Sequence, residues 1–118
     1  MIDIEQVVYN ILSGSTKCYP IIAPENTSLP FVVYDAVITP DYTKDGRSIN
    51  NNTLTIYVLS EVYKEVMTIT KSVDSLISNL NGDYSNVHIY NTKLNSLNGI
   101  YEDGVYIKKL EYEIKTDI

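Results

Sequence analysis

The sequence predicts an α+β fold: a mainly antiparallel β-sheet with two helices packed on one face, in the order α-β-β-β-α-β-β. Three observations lead there. Two stretches repeat apolar residues at helical spacing, and four others are β-branched or alternate between apolar and polar. The strands come in runs between the helices, joined by turn residues, whereas a parallel sheet would need a helix between each pair of strands.

Ile4, Val7, Val8, Ile11 and Leu12 recur at helical spacing and place a helix over residues 2–13, closed by Gly14. "CYPIIAPENTSLP" holds Pro20, Pro24 and Pro30 and reads as an extended, turning segment with a short edge strand at 19–23. Residues 31–38 are rich in β-branched side chains and form a strand. Residues 53–59 alternate cleanly, with Leu54, Ile56 and Val58 on one side and Thr53, Thr55 and Tyr57 on the other. A two-residue turn could join these strands, yet "ITPDYTKDGRSINN" puts about a dozen polar residues between them. A solvated loop is expected at 39–52, and loops of that length in compact domains are functional or disordered.

Ser60 is suited to cap a second helix, with Glu61 in its first turn. Val62, Val66, Ile69, Val73, Leu76, Ile77 and Leu80 keep to one stripe as far as about Asn79, opposite Lys64, Thr68, Lys71 and Ser75. "NGD" closes the helix. A polar strand follows at 87–96, then turn material in "NGIYEDG", where Asp103-Gly104 is the strongest signal. The last strand spans 105–115. Val105 and Ile107 share one parity, but Leu110, Tyr112 and Ile114 share the other, which predicts a β-bulge near Lys108 and Lys109.

Composition bounds function. A chain of 118 residues suffices for one domain with a modest core. Its net charge of -6 argues against tight phosphate-driven binding to nucleic acid, which needs clustered Lys and Arg. No apolar run is long enough to span a bilayer, and "MIDIEQVVYN" lacks the pattern of a secretory signal. Cys18 has no second cysteine to pair with, so an intracellular setting is expected. Tyr occurs 11 times against one Phe and no Trp, a bias that suits strand surfaces and interfaces.

Little in the chain points to catalysis. His88 stands alone on a candidate strand, and Cys18 has no His near it in sequence. There is no zinc spacing, no phosphate loop and no nucleophile elbow. "DYTKDG" resembles the opening of an EF-hand loop, but Asn52 stands where the bidentate Glu is needed and strands flank it in place of helices. No catalytic residue, metal or cofactor is therefore expected, and the chain reads as a non-enzyme.

"LPFVVY", then "PDYTKDG", then "TLTIYVLSEVYKEV", with "YEDGVYIKKLEYEI" near the end, resembles a family of phage tail completion proteins. These are the tail-terminator or head–tail joining proteins of long-tailed phages and prophages. The likeness runs in order through almost the whole chain, as one tail-completion-like domain over 1–118, although 84–98 matches nothing in the family. The resemblance implies a structural virion protein, assembled in the bacterial host cytoplasm. It would form a ring, commonly of six subunits, at the head-proximal end of the tail tube. Its partners would be further copies of itself, the major tail tube protein and the head connector, with DNA passing through and not held. The acidic balance fits such a lumen. A head-side adaptor or stopper of the connector is the nearest alternative; a small ligand-binding or hydrolytic domain, with a pocket around His88, is the more distant one.

In that setting the 39–52 loop is expected to serve assembly and to be dispensable for folding. Tyr42 and Ile49 would be its anchors, Arg47 a bidentate contact to a carboxylate, and Lys44 and Asp45 solvated partners beside them. The purified protein is expected to be monomeric when dilute, the ring forming on the tube.

Overall fold

The computed structural model describes residues 4–43, 46–84 and 87–117, without the side chains of 41–48. The chain runs α1 (Ile4–Leu12), β1 (Cys18–Pro20), β2 (Phe31–Thr43), β3 (Gly46–Ser60), α2 (Tyr63–Ser78), β4 (Gly82–Tyr84), β5 (Val87–Glu102) and β6 (Val105–Thr116). The six strands form one sheet in the order β1-β2-β3-β6-β5-β4. Every pairing is antiparallel except that of β1 with β2. The α+β class and the element order expected from sequence are those observed, with β4 as a short addition beside the start of β5.

Alternation decides which face of the sheet is covered. Leu54, Ile56 and Val58 are fully buried under α2, which contributes Val66, Thr70, Val73 and Ile77, with Ile69 and Leu76 half-buried beside them. β6 supplies Leu110, Tyr112 and Ile114 to the same core, and α1 adds Ile4, Val7, Val8 and Leu12 over β1 and β2. Each such side chain contributes about 1.5–3 kcal/mol by leaving water. Thr53 is exposed on the opposite face, with Thr55 and Tyr57 half-buried there.

α2 begins later than its stripe suggests. Ser60 is still a strand residue, paired with Tyr106, so it cannot be the helix cap. From there its hydroxyl accepts the Val62 N–H at 3.1 Å and donates to Glu65 Oε1 at 2.6 Å. Ser60 thus relays the N-cap N–H to the Glu65 carboxylate from two residues upstream of the N-cap. Val62 becomes the N-cap and is exposed, outside the stripe.

Three other expectations are corrected. β6 has no bulge near Lys108 and Lys109; its pairing with β3 is regular throughout. Its apolar residues change parity because Val105 and Ile107 face away from the helices, where a second apolar surface begins. The register shifts lie in β5, at Tyr90 and Asn95. The turn segment "NGIYE" is strand, so β5 runs on to Glu102 and only Asp103 and Gly104 turn, both at positive φ.

The third correction concerns 39–52. Apart from Lys44 and Asp45, which lie outside the described residues, these residues are not a loop. They are the far half of a hairpin in which β2 and β3 pair from Phe31↔Leu59 out to Thr43↔Gly46. A strand of 15 residues at about 3.4 Å each reaches about 50 Å, which accounts for the longest dimension of 51 Å. The radius of gyration, 15.0 Å, exceeds the roughly 13.5 Å of a compact domain of this length for the same reason.

Part of this hairpin also belongs to the core. Asn52 is buried between β2 and β6, where its amide donates to the Ile114 carbonyl at 2.9 Å and to the Thr116 hydroxyl at 3.0 Å. Its polarity hid it among solvated neighbours. Asn52→Ala is expected to destabilise the protein by about 1–3 kcal/mol, since it strips a donor from buried acceptors. Urea unfolding of the variant checks this, and a change near zero would mean water replaces the amide.

Candidate functional site

The face of the sheet away from the helices is apolar at one end. Phe31, Leu59, Ile107 and Ile100 are successive cross-strand partners over β2, β3, β6 and β5. Val33 and Tyr57 form the next row. With residues 21–27 folded over one side, they line an open groove of about 520 Å³.

The 21–27 segment is held by backbone hydrogen bonds. The Ile21 N–H donates to the Tyr34 carbonyl at 2.8 Å, the Ile22 N–H to Pro20 at 2.6 Å and the Thr27 N–H to Pro24 at 3.2 Å. Ile21 adopts φ 65°. That is rare for a β-branched residue and costs on the order of 1–3 kcal/mol. The conformation leaves Ile21 and Ile22 69% and 77% exposed, at the groove's rim. A strained turn that displays two isoleucines to water gains nothing for the isolated chain.

A second concavity, about 230 Å³, lies on the helix side of the same end. Tyr106 stands between Tyr63, at 5.5 Å between ring centroids, and Tyr101, at 4.6 Å. Ile100 and Ile107 line both concavities, so the end of β5 has apolar surface on each of its faces. Gly99 permits this arrangement locally, since a Cβ there would sit 2.9 Å from Lys108 Cδ, whose stem lies over the strand.

No family model and no curated protein sequence matches this chain. A solved structure does, the virion of a native gene transfer agent particle. The match has a TM-score of 0.72 and 11% identity, and covers 95% of this chain and 85% of the other. The two chains share a fold.

Of the residues nominated from sequence, Lys44 and Asp45 lie outside the described residues, as do the side chains of Tyr42 and Arg47. The backbones of Tyr42 and Arg47 pair with each other near the hairpin tip. Ile49 is half-buried and pairs with Asp41. The exposed apolar residues at the groove and along β5 were not nominated.

His88 does gain a carboxylate partner, Asp83, whose Oδ1 is 2.6 Å from Nδ1. The pair joins β4 to β5, with Tyr90 packed edge-on at 4.6 Å and the His88 N–H donating to Asp117 Oδ1 at 3.0 Å. Neither concavity includes His88. Cys18 is buried, and burial pushes its thiol up from the ordinary value, away from the reactive thiolate.

Proposed function

We propose that this chain is a structural, non-enzymatic component of a phage-like virion, and that it forms a ring ending the tail tube and joining it to the head connector. The observation that carries this reading is the fold shared with a gene transfer agent virion chain over nearly the full length of both. The order of "LPFVVY", "PDYTKDG" and "TLTIYVLSEVYKEV" adds the likeness to tail completion proteins. The molecule's surface suits the role. It offers apolar edges for neighbouring copies and a long hairpin to reach another component, while its net charge of -6 discourages DNA in a lumen from sticking.

Deletion of the gene from its phage or prophage tests the reading by electron microscopy of the particles. The expected products are filled heads without tails and separate tubes of uncontrolled length. Complementation should restore a ring containing this chain at one end of each tail, including tails from a mutant that makes no heads. Normal tails joined to heads in the deletion strain would overturn it, as would recovery of the chain on heads alone.

A further inference from the structure

We propose that copies of this chain pair edge to edge and head to tail, β5 of one copy lying along the β1–β2 edge of the next; the ring reading above supplies its setting. The two sides of the sheet carry the evidence. β4 covers only Val87–Ile89, so among the described residues the rest of β5 is paired on one side alone. At the opposite edge β1 covers only Val32–Tyr34 of β2, so β2 from Asp35 to Pro40 is likewise paired on one side.

Free edges are normally protected by bulges, proline or charge. In β5 the bulges at Tyr90 and Asn95 come before the segment 96–102, "SLNGIYE", which has neither bulge nor proline and is charged only at its last residue. Such an edge is a template for another strand. An added strand would place alternate side chains on the two faces, where the groove and the tyrosine cluster wait.

Exposed apolar residues identify the partner strand. Nine of the twelve exposed large hydrophobics among the described residues sit at these two edges. On one side are Ile21, Ile22, Val37 and Ile38; on the other, Tyr90, Leu94, Leu97, Ile100 and Tyr101. A two-fold pairing of β5 with β5 would cover one set and leave the other in water. A head-to-tail contact covers both with a single interface, and such a contact closes into a ring or grows without limit.

The strand directions agree with it. β2, β3, β6 and β5 alternate in direction, so the two outer strands run oppositely. A second copy in the same orientation therefore sets its β2 antiparallel to β5, and helix-covered faces stay on one side. Ile38, Leu94 and Leu97 share the helix-side face, while Val37 and Ile100 share the other, so like surfaces meet.

Site-specific cross-linking tests this in a Cys18→Ala background shown by thermal melting to be folded. Ile38→Cys and Leu97→Cys are made separately and together, then treated with a short bis-maleimide, in concentrated purified protein and in tails. Neither single variant should give dimers alone, their mixture should, and the chain carrying both should give a ladder that stops at the ring number. Self-linking of Leu97→Cys, or no mixed dimer in assembled tails, overturns the proposal. Leu97→Lys with Ile100→Lys should melt like the parent yet lose incorporation into tails; normal incorporation would also overturn it. If the chain is found at the tail end but 38–97 links are missing, edge pairing fails and the virion role stands. If the links form but the chain is absent from tails, the reverse holds.

Discussion

Tyr112→Ala is expected to destabilise the protein by about 3–5 kcal/mol, the range for truncating a buried aromatic. Tyr112 lies on β6 between Leu54 of β3 and Leu94 of β5, and it heads the fully buried side chains by size. Its hydroxyl crosses to α2 and donates to Asp74 Oδ1 at 2.6 Å. Truncation would therefore open a cavity and release a side-chain hydrogen bond from the centre of the sheet to α2. Since a domain of this kind is stable by only about 5–15 kcal/mol, the variant should unfold at markedly lower urea concentration. A loss under about 1 kcal/mol would mean that the sheet and α2 close over the gap.

Tyr112→Phe separates the ring from the hydroxyl. Asp74 is half-exposed and can turn to water, so about 1 kcal/mol should be lost, the ordinary net value of such a bond. pH gives an independent check. Burial, and then the Asp74 acceptor and its charge, hold the Tyr112 hydroxyl well above the ordinary tyrosine value. The folded state thus keeps a proton that the unfolded chain releases near pH 10, and stability falls as pH rises past that point. Tyr112→Phe should lose stability less steeply than the parent above about pH 10. Equal slopes would show that Tyr112 ionises as easily folded as unfolded.

The elements most legible in the sequence are those with one face buried and one wet. β3 and α2 advertise their faces because the helices cover a single side of the sheet, and Leu54, Ile56 and Val58 have to meet Val66, Val73 and Ile77. The same rule misleads where the sheet outruns its helices. Residues 41–43 and 46–49 extend past the end of β6, and the last part of β5 lies at the sheet's edge, so neither needs apolar alternation; the first read as a loop and the second as turn material. Their strands are held by the backbone ladder, which leaves little trace in side-chain type. β6 misled in another way, since one strand serves the helix-side core at Leu110 and the outer groove at Ile107.

The surface proposed for assembly was less legible still. Polar hairpin residues stand out in the sequence, whereas Ile21, Ile22, Ile100 and Tyr101 sit in segments that read as turns. One signal was available. In "SLNGIY", Leu97 and Tyr101 fall on one parity and Ile100 on the other, which makes a strand apolar on both faces without being central. Strands of that kind are buried by a second layer or by another chain.

The hairpin can be cut in two ways with opposite expected results. Beyond Asn50↔Thr116 neither β6 nor β5 accompanies it, and β2 and β3 continue as a two-stranded ribbon. Such a ribbon is marginal by itself and adds little to the rest of the fold. Replacing residues 41–49 with Asn-Gly, joining Pro40 to Asn50, should leave a folded protein within about 1 kcal/mol of the parent, since shortening a connection changes closure entropy only slightly. Extending the cut through Asn52 should be far worse, because it removes the buried amide and the pairings of Asn51 and Asn52 with Lys115 and Ile114. The earlier expectation that all of 39–52 is dispensable is thus restricted to the ribbon. If the ribbon reaches the tube or the connector, the shorter cut should abolish tail completion while the cross-link between Ile38→Cys and Leu97→Cys still forms. Infectious particles from that variant would remove the ribbon from assembly, and loss of the cross-link would place it between neighbouring copies.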